Sequence, residues 1–462
     1  MLFLGGCQGS KGTGALFERA HAPLPDMENG GRLSLFRDFA KAEPVPVKVK
    51  IAGVEVLGTE KWIPVSGGPI YVDVEKMGKN QIFLGSRVIP AGRYDTLRLT
   101  LVNPEVTLKG KTTSLSLAKP TVEIPLASPI EITPKDSKSL FLNWDLAASI
   151  KGVALEQPVM SITTSEEIPL TTNLAYVACP DIDTVYIVRT DKNKVAGSLP
   201  VAGKPLYVIA DTESSKLYVL TSEDAAIKVL DIKTGLMIDN IRISMASKPI
   251  FMTAGANMQY AYVIDERGSY LSRVNLATGI LEKRVRIGQK LQYALYSEEY
   301  KLVAVSSSYD QTVYLLEPDS LSKIDEISTG SSPDGLLIWE NSLYIAETGA
   351  NAVSVFDLDS RTLVKRINAG FAPSRFALHD NNIYVSNFLD GSISLLFGGQ
   401  LSVAREIQTG QKPFEMATSQ IHRWLYVGDK ALGALSVVDL TSRKFVHTIE
   451  FGAAPEGIEI IQ

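Results

Sequence analysis

Six residues carry most of the chemistry this chain could perform: Tyr207, Tyr293, Asp334, Arg375, Glu415 and Glu456. Each follows by one or two places a position that is usually Pro, at 205, 249, 291, 333, 373, 413 and 455, hence in steps of 44, 42, 42, 40, 40 and 42 residues. If the fold turns that period into rotation, these side chains meet around one opening. Carboxylates gathered there could hold a cation, or work as acid and base on a lactone. An arginine among them argues against a cation, because it supplies the counter-charge itself. Aromatic residues on one half and charges on the other could instead make a polar ligand site with an apolar wall. The plainest expectation is that Arg375 pairs with its acidic neighbours in a water-filled channel, where a solvated charge costs little.

Other chemistries find little support. The four histidines, His21, His379, His422 and His447, are far apart, and no H-E-x-x-H, G-x-S-x-G or C-x-x-C-H run exists. No catalytic set, metal site or cofactor is therefore expected. A second group, Asp181, Asp183, Asp224, Tyr309, Asp310, Asn351, Asp390 and Asp429, falls in loops of the repeat. Calcium would use such oxygens, but the spacing D-x-D-x-D-G is missing, and Asp is common in turns. Cys179 reads as a buried apolar filler.

The elements that position these residues form a repeat. Gly-x-x-Pro or a variant opens each copy, as in Gly370-Phe-Ala-Pro373 and Gly410-Gln-Lys-Pro413, with Gly288-Gln-Lys-Leu291 as the degenerate one. A second phrase keeps the same phase: Tyr176-Val-Ala-Cys179, Tyr218-Val-Leu-Thr221, Tyr262-Val-Ile-Asp265, Leu302-Val-Ala-Val305, Tyr344-Ile-Ala-Glu347, Tyr384-Val-Ser-Asn387 and Tyr426-Val-Gly-Asp429. Such β-branched and aromatic runs suit buried strands. A third apolar strand, a turn such as Asp231-Ile-Lys-Thr-Gly235 and a fourth strand complete the unit. A period near 40 with four strands fits one propeller blade. The first copy has only strands two to four and the last only strand one, so Gly457–Gln462 is predicted to complete the first blade and close the ring.

These phrases resemble the YVTN family of β-propeller repeats of bacterial and archaeal surface and periplasmic proteins, over about Leu174 to Gln462. The resemblance implies a seven-bladed β-propeller. The expected fold is all-β, with this propeller at 174–462 after a β-sandwich at 31–164 and a linker at 165–173, the connection running from about Lys151 to Leu170. In the sandwich region, Leu97, Leu99 and Leu101 share one strand face. Ile89-Pro-Ala-Gly-Arg-Tyr94, Leu97-Arg-Leu99 and Leu140-Phe-Leu-Asn-Trp-Asp145 resemble an uncharacterised β-sandwich domain of bacterial surface lipoproteins, which implies no known activity.

Residues 1–30 read as a lipobox-like start and flexible tether: Leu4-Gly5-Gly6-Cys7 places a cysteine behind small residues, and a Gly-rich polar stretch follows. A basic leader and most of an apolar core are missing. Cys7 is the expected lipidation site. A net charge of −5 gives no reason to expect nucleic acid. The leading expectation is a lipid-anchored, non-catalytic protein of the bacterial envelope, an outer-membrane lipoprotein facing periplasm or surface. It binds an envelope or extracellular protein or a polysaccharide through Asp334, Arg375, Glu415, Glu456, Tyr207 and Tyr293. The alternative is a lactonase-type hydrolase at the same opening.

Overall fold

A computed structural model of the chain describes residues 26–39, 45–77, 80–108, 110–155, 158–164 and 173–461. Cys7, His21 and residues 165–172 lie outside them. The described chain is all-β. Among these residues no helix is long and apolar enough to cross a membrane.

From Leu174 onward the strands form seven four-stranded antiparallel sheets. Six are built from consecutive strands. Their innermost strands are Pro205–Asp211, Pro249–Ala254, Leu291–Ser297, Pro333–Trp339, Pro373–His379 and Pro413–Ser419. The remaining sheet, called the first here, joins the two ends of the region. Leu174–Cys179, Thr184–Arg189 and Lys194–Pro200 are completed by Ile458–Ile461, with Leu174 opposite Ile461 and Val177 opposite Ile458. Each innermost strand neighbours that of the next sheet, and Ile458–Ile461 touches both Pro413–Ser419 and Pro205–Asp211.

The repeat phrases explain this regularity. The Tyr-Val strands are second in each sheet and are buried on both faces, between adjacent sheets, so they are apolar without alternation. Outer strands of the six consecutive sheets are largely exposed and carry charges, as in Leu281–Arg286 and Leu363–Asn368, which blunts their pairing edges. The degenerate copy folds like the others: Leu291 replaces Pro and is fully buried, and Leu302–Ser307 takes the Tyr-Val place.

Before residue 164, one sheet has the order Val159–Thr163, Ser137–Asp145, Gly30–Phe39, Ile82–Pro90. The strand at 159–163 therefore belongs to this sheet, inside the 31–164 bounds read from the sequence, and the connection does not begin as early as Lys151. A second sheet is built on the long strands Val47–Leu57 and Gly92–Leu108. Buried residues of both sheets, among them Leu35, Val54, Leu97, Leu99, Leu101, Ile132 and Leu140, form a single apolar cluster. The Pro-Ala-Gly-Arg-Tyr turn is tied by the Tyr94 hydroxyl, which donates to the Pro90 carbonyl at 2.7 Å.

The two regions pack directly on one another. Phe36 stacks on Phe141 with centroids 5.7 Å apart and meets Tyr186 of the first sheet edge-on at 6.0 Å; Tyr186 stacks on Phe451 at 5.0 Å. Cys179 is fully buried in this same cluster, as an apolar filler. Around it, Ser34 and Tyr186 share a hydrogen bond of 2.9 Å, Ser139 donates to Ser198 at 2.9 Å, and Lys194 pairs with Asp38 at 3.0 Å. Fully buried aromatic faces with satisfied polar groups make a fixed joint.

Candidate functional site

The residue after each Pro-equivalent position breaks the strand register. Pro205 pairs with Thr221 and Tyr207 with Leu220; Pro373 pairs with Asn387 and Phe376 with Val385; Pro413 pairs with Asp429 and Met416 with Val427. A bulge re-aims side chains, and here it brings the residues two places after each Pro into one ring. That ring is Tyr207, Phe251, Tyr293, Gly335, Arg375, Glu415 and Gly457, read from sheet two round to the closing strand.

Its side chains touch across the opening. Tyr207, Phe251 and Tyr293 form an aromatic arc, with centroid spacings of 4.2 Å for each neighbouring pair. Opposite the arc, the Arg375 guanidinium pairs with Asp334, and its Nε lies 3.3 Å from Glu415. The Tyr207 hydroxyl donates to the other side of the ring, to Glu415. The Arg375 guanidinium also sits 5.0 Å from the centroid of Tyr293 and 4.3 Å from that of Phe414. The two glycines permit this crowding. A Cβ on Gly335 would stand 2.3 Å from the Ser374 carbonyl oxygen, and one on Gly457 would stand 2.6 Å from that of Leu206.

The sequence expectation of a solvated charge at this opening is not met. Arg375 is 5% exposed and Glu415 6%. The long side chains fill the space that water was expected to take. Burial works against the Arg375 charge, but Asp334, with Tyr207 and Glu415, outweighs it and holds the guanidinium well above its ordinary value. Burial pushes the Glu415 carboxyl up, and Arg375 and the Tyr207 hydroxyl restrain that rise. Tyr207 is raised by burial first and by Glu415 second.

Glu456 stands apart from this network. It pairs with Lys430 at 2.6 Å, and its backbone N–H donates to Ala178 at 2.9 Å. Lys430, which sequence reasoning passed over, lies 3.6 Å from the Phe414 centroid, on a ring that also faces Arg375. Burial lowers its ammonium. The signal was present in the period: Lys430 directly follows the second strand of its sheet, and the residues in that place, Ser222, Glu266, Ser308, Thr348 and Phe388, all donate their N–H to the loop before an innermost strand.

The loop carboxylates are occupied with turn chemistry. Asp183 accepts from Lys204 N at 2.9 Å, Asp310 from Gln289 N at 2.7 Å, Asn351 from Ala372 N at 2.9 Å, Asp390 from Phe371 N at 2.8 Å and Asp429 from Gln411 N at 2.6 Å. Asp224 pairs with Lys228 at 2.8 Å, and Tyr309 is exposed. Among the described residues, no three His, Cys, Asp or Glu side chains are grouped so as to hold a metal ion.

Below the ring, on the closing strand, Glu459 is a carboxyl where the other sheets carry Ile209, Thr253, Leu295, Leu337, Ala377 and Ala417. It accepts from Ala210 N at 3.4 Å, and burial pushes it up to about 7. The folded chain thus holds this proton more tightly than the unfolded chain does. The stability contribution is complete below the unfolded value of 4.5 and falls as pH rises towards about 7. Glu459→Gln should match the parent in urea melts at pH 4.5 and exceed it by about 3 kcal/mol at pH 8. Equal stability at pH 8 would show that the carboxyl is well hydrated.

The architecture defines the class: an all-β protein whose C-terminal part is propeller-like. It aligns with a functionally unknown protein from Desulfotomaculum acetoxidans DSM 771, at a TM-score of 0.56 and 14% identity, over 63% of this chain and 99% of that one. It also aligns with the dihydro-heme d1 dehydrogenase NirN in complex with DHE, at a TM-score of 0.50 and 14% identity, over 62% of this chain and 64% of that one. At such identity the likeness concerns fold alone. Residues 40–160 match a domain of unknown function, DUF4382. No curated protein matches the chain.

Proposed function

We propose that the chain is a lipid-anchored binding protein of the bacterial envelope, tethered through Cys7. In this reading the seven sheets are blades of one closed YVTN-type propeller that serves as a rigid disc, and the N-terminal β-sandwich holds that disc by its first blade. The partner is an envelope or extracellular protein or a polysaccharide. The lipobox-like Leu4-Gly5-Gly6-Cys7 supports the anchor.

The observation that carries the non-catalytic part is the state of Glu415. A general base or metal ligand needs free lone pairs facing a substrate. Glu415 is buried against Arg375, the Tyr207 hydroxyl and the Met416 N–H, so the carboxylates of the opening serve to plug it. The ring also lacks histidine, which weakens any transfer of the ligand named for NirN. His379 ends an innermost strand, and His447 lies on an outer one.

The test is hydrolysis of a panel of lactones by the purified chain, with Zn²⁺, Mn²⁺ or Ca²⁺ added in turn. The expected result is no turnover above buffer. Turnover that disappears in Glu415→Gln would replace this reading with the hydrolase. Labelling of the chain by a radioactive fatty acid in cells, lost in Cys7→Ser, is the expected result for the anchor.

A further inference from the structure

Three glycines of the N-terminal region are explained neither by packing nor by backbone conformation. Gly53 lies in the strand Val47–Leu57, and Gly67 and Gly68 lie in the loop between Trp62–Pro64 and Ile70–Asp73. None of the three lies in the left-handed region. A Cβ on any of them would meet nothing within 4 Å. Glycine weakens a strand, and where the fold does not require it, it marks a place that a ligand approaches closely.

The three glycines share one groove. It holds about 300 Å³ and is lined also by Glu55, Ser66 and Thr100. It lies on the solvent face of the sheet, since Val54 and Leu99 turn into the apolar cluster on the other face. The strand pairing leaves it open. Ile70–Asp73 pairs with Val47–Leu57 only as far as Ile51, and Trp62–Pro64 pairs only from Glu55 onward. Ala52 has no partner in Gly92–Leu108 either. The glycine loop crosses this gap, held where Val65 N donates to the Val54 carbonyl at 2.7 Å and Val54 N to Ser66 Oγ at 3.1 Å.

Polar groups in and beside the groove keep free capacity. Among the described residues, the N–H groups of Gly67 and Gly68 meet no acceptor, and the Thr100 hydroxyl has no partner. Arg98 Nε and Nη2 both donate to Glu55 Oε2, at 2.9 and 2.6 Å. Glu55 Oε1 and Arg98 Nη1 are thus left as a fixed acceptor and donor side by side. Trp62 backs the guanidinium, its centroid 4.1 Å away. On the same sheet face Tyr71, opposite Lys50, is 69% exposed.

This set fits hydroxyl groups, each of which gives one hydrogen bond and takes others. The one charged residue lining the groove, Glu55, is already neutralised by Arg98, so the lining offers an ion no uncompensated charge. Tyr71 adds a flat apolar surface on which the C–H face of a sugar ring can rest. We propose that this groove binds a neutral carbohydrate chain, with Glu55, Arg98 and the glycine N–H groups holding ring hydroxyls and Tyr71 stacking under a neighbouring sugar. The inference goes beyond the scaffold reading of the disc and does not depend on it.

The test is native electrophoresis of the full chain through gels that each contain one soluble polysaccharide: dextran, amylose, laminarin, mannan or xylan, with polygalacturonate as the charged control. At least one neutral polymer should retard the chain, and polygalacturonate should not. Gly53→Leu fills the groove from the strand and Gly68→Leu from the loop. Each should weaken binding at least tenfold with an unchanged melting temperature, because the added side chain meets open space. Arg98→Met and Tyr71→Ala should each weaken it several-fold. The proposal is overturned by retardation in no neutral gel, by equal retardation in polygalacturonate, or by retardation that both leucine variants leave intact. Capture of extended peptides in place of any glycan, abolished by both leucine variants, would overturn it as well. Lactone turnover lost in Glu415→Gln would sink the scaffold reading and leave these outcomes untouched.

Discussion

A chain that stops at Ala454 should lose its cooperative thermal transition, or melt more than about 10 °C below the full chain. The eight missing residues supply one strand only, but that strand pairs Ile458 to Ile461 with Val177 to Leu174. It also buries Ile458 and Ile461 and sets Gly457 against Leu206 and Tyr207. Two such isoleucines represent about 3–6 kcal/mol of apolar burial, against a whole-domain stability of about 5–15 kcal/mol. The loss also takes from Leu174–Cys179 its inner pairing partner and from Pro205–Asp211 the strand beside it in the ring, so the damage spreads through two sheets. Calorimetry of the truncated chain gives the first reading. A synthetic peptide of the sequence Pro-Glu-Gly-Ile-Glu-Ile-Ile-Gln, added in excess, should recover part of the lost melting temperature. If the truncated chain melts with the parent, the ring does not depend on its closing strand.

The second large effect belongs to Arg375→Met. The substitution keeps length and apolar bulk but leaves Asp334 and Glu415 buried without their counter-charge. Breaking a buried pair from one side costs about 3–5 kcal/mol. Removing the cation also releases the restraint on Glu415, whose carboxyl then rises further. The deficit against the parent should therefore be largest at pH 8 and shrink as pH falls through the raised value of Glu415, where the proton replaces the lost charge. Arg375→Met/Glu415→Gln should recover much of the deficit at pH 8. Urea denaturation of parent, single and double variants at pH 5 and 8 measures all of this. A single variant within about 1 kcal/mol of the parent at pH 8 would mean that water, not burial, surrounds the guanidinium.

Much of this fold was legible in the sequence, because a repeat states each element several times. The Pro phrase marks the innermost strands, and the Tyr-Val phrase marks the doubly buried second strands. Even Leu291 in place of Pro misled only about regularity: the position needs an apolar residue at a strand start, and Leu meets that need. The candidate ring was legible in the residues that follow Pro, apart from Glu456, which pairs with Lys430 outside the network, but its state was not. Whether Arg375 is wetted depends on how far Tyr207, Asp334 and Glu415 reach across the opening, and the period does not encode reach. Lys430 follows a Tyr-Val strand and not a Pro, so the Pro phrase does not mark it, although its own place in the repeat brings its backbone to the loop before an innermost strand.

The aromatic joint was the least legible part. Phe36 and Phe141 lie in strands whose other apolar residues, such as Leu35 and Leu140, face their own sheet's core. Strand alternation shows that a side chain faces the opposite way, but not that another domain waits there. Phe451, just before the final Gly-Ala-Ala-Pro phrase, likewise stacks on Tyr186, and nothing in the repeat marks that contact.

That joint also bears on the order in which the chain can fold. The first sheet has three strands early in synthesis and waits for its fourth until the last residues emerge, and pairings so distant in sequence form slowly. Domains fold from the N-terminus as they appear, so the region carrying Phe36 and Phe141 is complete before Ile458 exists. Tyr186 then finds an aromatic platform as soon as its own strand is made, and Ser34, Ser137 and Ser139 offer hydroxyls to Tyr186, Thr184 and Ser198. The N-terminal region thus acts as a jig: it clamps the unfinished sheet while the six other sheets are still on the way, leaving one open edge for the final strand to find.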